Sequence, residues 1–494
     1  MDQQSFLKEL LPILKQPEAS GIWQGGSSVS GCFCISHHLV NKMYQMTFKK
    51  WKKSSLAVLF IALGALAIPV IDKSLPLVRA KESFRTAFPK ERFQVRFNTP
   101  ADPWMIAQIN RDFQDFEEKK IDAFMLNKTY QHICQNVSKT TPFYHYRILD
   151  YKLYKFVPNG TPFSDTDSSF EKAFKTLLIY AKVPDVDFIL CPMDGMPEPY
   201  MPPGFFILED FHDQAPILAQ AKMKEPLAKY IALIPDQFSL NEEWVHITQE
   251  ILALNNEIDW KQKKEIAIWR GGLTDAGVPN ERFVSNLTSC PRFNLCKKSL
   301  AFPSLVDAGF NWVEQEMQLN LQKEGVIKGG LGKKDHLLCK YLPVLDGHMC
   351  TYPGYQWRLL SNSVCFKQES DQIQWFYSAL KPYAHYIPIQ NDMSDLSEKI
   401  EWARSHDKET LEISQHAQEF ALKNLLLEDN YFYLYLVLQK QASLEEIDFS
   451  RLKKETKKDS QWKCIQYRKR LALKKSFDRI KEKVLGHGLF STAV

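Results

Sequence analysis

The ten cysteines include no Cys-x-x-Cys pair and no Cys/His spacing that suits zinc. Cys32 and Cys34 stand too close for an ordinary zinc pair. Cys339 and Cys365 lie in apolar runs, where buried thiols are expected. Nothing demands disulfides, which favours a reducing compartment. The chain has no G-x-x-x-x-G-K-[ST] loop and no G-x-G-x-x-G turn, so the common phosphate fingerprints are excluded. It has no His-Glu metalloprotease motif and no G-x-S-x-G elbow, which removes those hydrolase classes. There is no internal repeat.

What remains is a globular composition. With 45% hydrophobic and 24% charged residues over 494 positions, the chain has material for two or three domains. The 32 Phe, 19 Tyr and 11 Trp supply core and stacking surface. The net charge of +5 is unevenly placed: residues 451–485 alone sum to +10, so the rest is acidic. This basic segment, with Leu452, Trp462, Ile465, Leu471, Leu473, Phe477 and Ile480 interspersed, reads as a helical tail, solvated or in contact with an anionic membrane or nucleic acid. Near the other end, Leu56 to Ile71 is a run of 16 uncharged, mostly apolar residues behind Lys49, Lys50, Lys52 and Lys53. As a helix it reaches roughly 24 Å, slightly short of a hydrocarbon core of about 30 Å. Extended to 54–71, it is expected to be a single membrane anchor, with an uncleaved signal sequence or a buried core helix as the alternatives. Basic residues flank both sides, so charge gives no firm orientation. The working domain is expected on the cytoplasmic side.

The stretch from Tyr341 to Ile389 organises the rest. An apolar run (Tyr341 to Leu345) breaks at Asp346-Gly347. A polar, aromatic loop with a second break at Pro353-Gly354 follows, then a helix-like segment, Tyr355 to Leu360, and a strand-like run, Val364 to Phe366, ending on Lys367. This reads as one unit of a parallel α/β sheet, with or without a ligand at its strand ends. Upstream, Trp104 to Met125 has helical periodicity, Tyr144 to Val157 is strand-like and Phe170 to Ala181 is helical. The short strand Val186 to Leu190 leads through Cys191 and Pro192 to Asp194-Gly195, read either as a catalytic carboxylate at a strand end or as an Asp-Gly turn. Glu265 to Trp269 is strand-like and runs into Arg270-Gly271-Gly272. That combination offers a cation and unobstructed backbone N–H groups to a diphosphate, or is simply a glycine turn. Leu396 to Ala403, Lys408 to Leu426 and the aromatic run Asn430 to Gln439 read as closing helices.

Residues from about 183 to 440 resemble glycosyltransferase family 90. That family includes capsule-associated xylosyltransferases, protein O-glucosyltransferases and bacterial lipopolysaccharide glycosyltransferases. The resemblance is carried by VPDVDFILCPMDGMPE (183–198), IDWKQKKEIAIWRGG (258–272), CKYLPVLDG (339–347), LLSNSVCFKQES (359–370), WFYSALKPYAHYIPI (375–389) and DMSDLSEKIEWARSHD (392–407). It implies an α/β GT-B architecture of two Rossmann-like domains facing a cleft. On this reading residues 1–94 carry the anchor, 95–240 form the acceptor-side domain, 241–440 the nucleotide-sugar domain and 441–494 the basic tail. It also implies sugar transfer from a UDP-sugar with inversion, Asp194 being the base. Arg270, Gly271, Gly272, Lys340, Tyr341, Asp346, Gly347 and Lys367 fall on the donor side. Many members carry a phosphate-binding Arg where this chain has Gly354; Arg358, one helical turn on, is its expected substitute.

UDP-sugar and a glycan or glycolipid acceptor are the expected partners, with an envelope lipopolysaccharide favoured, a membrane contact through 54–71, and no nucleic acid. No resident cofactor or metal site is expected: Asp185-Val-Asp187 matches an Asp-x-Asp pattern but sits in a strand and reads as structural. The competing readings are a non-catalytic GT-B-like binding protein and a transferase acting on protein hydroxyls.

Overall fold

The computed structural model describes residues 90–136, 143–161, 168–192, 214–224, 230–274, 287, 290–347 and 349–465. The apolar run 54–71, Asp194 and the tail beyond 465 lie outside the described residues. Among the described residues no helix is long and apolar enough to cross a membrane.

Two sheets form separate lobes. In the first, β1 (Tyr144–Leu149) and β2 (Lys152–Phe156) make a hairpin, where the sequence reads as one strand. Its turn residues, Asp150 and Tyr151, sit at φ 49° and 59°, the left-handed pair that a tight two-residue loop requires. β3 (Val186–Cys191) runs antiparallel to β1 and parallel to β4 (Ile217–Ala219). A two-residue strand, β5 (Lys222–Met223), leaves this sheet, and β6 (Ile231–Leu233) returns parallel to β4. The Rossmann-like expectation therefore holds for only three strands; the other half of the sheet is antiparallel.

The second lobe is an all-parallel sheet. Its strands are β7 (Lys264–Gly272), β8 (Val306–Trp312), β9 (Cys339–Val344), β10 (Val364–Gln368) and, beyond the short β11 (Gln372–Ile373), β12 (Ile387–Ile389). The spatial order is β12-β10-β9-β7-β8. In sequence terms this is 2-1-3-4-5, so the direction of winding reverses between β7 and β9. In such sheets the crevice at that reversal, beyond the strands' carboxyl ends, is where ligands bind. Every residue of β9 and β10 is buried, as strands covered on both faces must be.

The chain then crosses back. Helix Leu427–Leu444 packs on the first lobe: the Gln441 amide donates to the Asp187 carbonyl at 2.6 Å, and the Tyr431 hydroxyl to the Leu240 carbonyl at 3.0 Å. The expected boundary at 440 thus cuts through a helix that belongs to the first lobe. Among the described residues the basic segment is helical over Phe449–Lys458; β13 (Trp462–Cys464) follows it and pairs antiparallel with β2. Trp462 explains the switch: its ring covers Arg147, with 3.8 Å from guanidinium carbon to ring centroid.

Candidate active site

The helix expected over 104–125 ends early, and its ending builds one wall of the site. Helix Pro103–Asp112 buries Met105, Gln108, Ile109 and Asp112, one face at helical spacing. A carboxylate on a buried face needs partners. Asp112 receives Lys222 Nζ at 2.8 Å, Gln108 Nε2 at 2.9 Å and the Leu233 N–H at 3.0 Å. Burial pushes its carboxyl up, opposed chiefly by the Lys222 ammonium. The helix end is thereby fastened to β5 and β6.

β5 in turn pairs antiparallel with β11 of the second lobe, Met223 facing Gln372 and Lys222 facing Ile373. The Lys224 N–H adds a bond to the Asp371 carbonyl at 2.7 Å. This two-stranded strap joins the lobes along the rim of a cavity of about 890 Å³. A volume of this size lies within the range of small-molecule sites. Gln108, Arg111, Met223 and Lys224 line it from the first lobe; Pro291, Asp346, Gly347 and the run Lys367 to Ile373 line it from the second. Tyr377, Ser378, Tyr386 and Asn391 complete it.

The second-lobe wall is built on the carboxyl ends of β9 and β10. Asp346 leaves β9 and is 4% exposed. Lys367 Nζ lies 3.4 Å from its carboxylate and donates to the Gln368 carbonyl at 2.8 Å, while the Ser370 hydroxyl donates to the other carboxylate oxygen. The Asp346 N–H donates to Gln368 Oε1 at 2.8 Å. Beneath this loop, Arg292 spans the β7/β9 crevice. It donates to the carbonyls of Gly272 (2.8 Å), Asp346 (2.9 Å) and Leu345 (3.2 Å). Gly347 lies against it: an added Cβ would sit 2.9 Å from both Arg292 Nη2 and Thr274 Oγ1. Gly347→Ala is therefore expected to displace Arg292 and destabilise the protein by about 1–3 kcal/mol. A chemical-denaturation midpoint equal to that of the wild type would refute this.

Of the residues expected on the donor side, the structure brings Asp346, Gly347 and Lys367 to the cavity and leaves the others elsewhere. Arg270 points back into its own sheet. Its donors reach the carbonyls of Trp269 (2.9 Å), Asp307 (3.0 Å) and Gly329 (3.1 Å) and the Asp307 carboxylate at 3.0 and 3.2 Å. Gly271 and Gly272 are packed under the rings of Trp269 and Trp312. Lys340 and Tyr341 open β9 and so lie toward its far end. Lys340 pairs with Asp407 (2.6 Å) and Glu265 (2.8 Å), and Tyr341 is wholly buried against Phe366. Gly354 starts helix Gly354–Leu360, and Arg358 folds back one turn to donate to the Gly354 carbonyl at 2.9 Å. Arg358 is buried, which pulls its guanidinium down to about 10. It does not reach the cavity in place of the missing loop arginine. Asp187 is fully buried under His145 and Arg147, in keeping with a structural reading.

The residues that sequence reading missed are Gln108, Arg111, Lys222 and Arg292. Asp112 on the apolar face of its helix was the legible sign of a buried charge pair. Pro291, at the first turn of helix Pro291–Ala301, was the legible start signal that puts Arg292 at a helix mouth.

A parallel sheet with a polar cavity at the carboxyl ends of two of its strands, roofed by a second α/β lobe, defines an α/β protein of the two-lobed kind. The sequence profile described as Glycosyl transferase family 90 matches residues 236–483, half of the chain, and the chain belongs to that family. It is similar to human Protein O-glucosyltransferase 3, 32% identical over 210 residues (41% of this chain, 37% of the relative). It is also similar to rat Protein O-glucosyltransferase 1, 26% identical over 212 residues (42% and 50%). The chain thus spans half or less of the length of these curated relatives. Among solved structures, the Anabaena protein HepE in complex with UDP and glucose aligns at 10% identity over 46% of this chain and 64% of that one. The TM-score is 0.29, too low to bear on the fold.

Proposed function

We propose that this chain is a glycosyltransferase of GT-B architecture that moves a hexose or pentose from a UDP-sugar to an acceptor hydroxyl with inversion. The observation that supports it is the interlobe cavity at the carboxyl ends of β9 and β10 of the parallel sheet, in a chain of this family. In the reaction the acceptor oxygen attacks the anomeric carbon from the face opposite UDP. The bond to the phosphate oxygen breaks with its electron pair going to UDP, and the acceptor proton passes to Asp194. The Lys367 ammonium is on the donor side of this reading, where the leaving diphosphate gains charge, whereas the Gly347 N–H is taken by the Met349 carbonyl at 2.6 Å.

The acceptor we favour first is an envelope glycolipid, with 54–71 holding the protein at a membrane and the working lobes on the cytoplasmic side. A protein hydroxyl is the second reading, and the names of the curated relatives favour it. Labelled UDP-sugar incubated with envelope lipid and with folded protein acceptors separates them: label in the lipid extract supports the first, label in the protein precipitate the second.

UDP is the direct probe of the site. A ligand that binds only the native state at 100 times its Kd adds about 2.7 kcal/mol of stability, so UDP is expected to raise the melting temperature by several degrees. No rise at millimolar UDP would remove the donor-site reading. A rise without UDP release from UDP-glucose, UDP-galactose or UDP-xylose, across both acceptor classes, would make the chain a binding protein.

A further inference from the structure

Four cations are expected on the donor side, and the fold diverts three of them. Arg270 is held by Asp307, Lys340 by Glu265 and Asp407, and Arg358 by its own helix. Lys367 alone lines the cavity, and its ammonium is already shared between the Gln368 carbonyl and Asp346. A leaving diphosphate needs more positive charge than this wall supplies.

The opposite wall carries it. Arg111 lines the cavity from the first lobe and is exposed. Among the described residues its guanidinium has no hydrogen bond, ion pair or ring contact. Its backbone, by contrast, is fixed: the next residue, Asp112, locks the helix end through Lys222 and the Leu233 N–H. Two of the other lining carboxylates have cations of their own. Asp346 is matched by Lys367 and Ser370, and Asp371 lies 3.9 Å from Lys224. Glu369 also lines the cavity, has no ion pair among the described residues, and is suited to hydroxyls and not to an anion. Pro291 adds the positive end of helix Pro291–Ala301 to the same cavity.

We infer that Arg111 is a ligand of the donor diphosphate, supplied across the cleft by the first lobe in place of the arginine that the donor loop lacks at Gly354. The inference rests on the UDP-sugar reading above. A planar guanidinium bonds two phosphate oxygens side by side, which a lysine ammonium does as a point charge only.

Calorimetric titration of the full chain with UDP and with uridine tests it, using wild type, Arg111→Ala and Arg111→Lys. Loss of one charge-assisted contact is expected to weaken UDP binding about 10- to 100-fold in Arg111→Ala. Arg111→Lys should recover part of that, and uridine affinity should not change. Because Arg111 is exposed and unpartnered, both variants should melt like the wild type. UDP affinity unchanged in Arg111→Ala, in a protein whose wild type binds UDP, overturns the inference and leaves the functional reading intact. Equal weakening of UDP and uridine also overturns it, since the contact is then not to phosphate. A wild type that does not bind UDP at all sinks the functional reading, and this inference with it.

Discussion

Replacing Asp194 by asparagine is expected to lower sugar transfer by a factor on the order of 10² to 10⁴ while leaving the fold and UDP affinity unchanged. The substitution keeps the size of the side chain and removes only its ability to accept a proton. In an inverting displacement the acceptor oxygen becomes a stronger nucleophile as its proton is taken, so the missing base is felt in the transition state and not in donor binding. Asp194 itself lies outside the described residues, but the strand that leads to it is firmly held. β3 is buried along its whole length, the Asp187 N–H meets Glu445 at 3.2 and 3.3 Å, and its carbonyl accepts from Gln441. On the proposed reading the donor groups are Lys367 of the second lobe and Arg111 on a helix separate from the strand that leads to Asp194, so the base can be removed without touching them. The measurement is turnover by UDP release beside UDP affinity by calorimetry. Retained transfer would exclude Asp194 as base; lost UDP affinity would move it to the donor site.

Legibility followed the range of the interactions. The donor-side unit could be read because strand, loop, helix and strand are contiguous, and its apolar runs became β9 and β10. Asp346, Gly347 and Lys367 were found for the same reason: strand ends and glycine breaks show locally. Arg270, Lys340 and Arg358 look equally available in sequence, yet the first two are claimed by distant partners that spacing cannot reveal, and Arg358 turns back on its own helix. Asp307 is 37 residues from Arg270, and Asp407 is 67 from Lys340. The first lobe was harder still. Its wall depends on Asp112 meeting Lys222 across 110 residues, and its sheet edge on β13 returning from the far end of the chain. A basic, amphipathic stretch reads as a solvated helix until the strand it must pair with is known.

The other large effect is on stability, at the buried cluster beneath β3. Asp187 is 0% exposed; its carboxylate meets the His145 ring on one oxygen and Arg147 Nε at 2.8 Å on the other. Arg147 continues to the Thr456 hydroxyl at 2.9 Å, tying in the segment that ends in β13. Asp187→Ala strands His145 and Arg147 without their counter-charge, a change expected to cost about 3–5 kcal/mol. That is a large part of the roughly 5–15 kcal/mol by which a domain is stable. Urea unfolding at neutral pH reads it directly; a loss below about 1 kcal/mol would show that the cluster relaxes or hydrates. The pH dependence gives a second test. Burial opposes ionisation of Asp187, but His145 and Arg147 outweigh it and hold the carboxyl below its usual range. A carboxyl depressed in the folded state contributes stability that is complete above its unfolded value, about 3.9, and is lost as pH falls through the lower folded value. Glu445, facing the Asp187 N–H, runs the other way: burial, then the Asp187 charge, raises it, so its contribution falls as pH rises above the unfolded glutamate value. Glu445→Gln removes that opposing slope. In this background the stability gap between Asp187 and Asp187→Ala chains is expected to narrow as pH drops below about 4. A gap that is flat across that window would mean that Asp187 contributes by packing and not by charge.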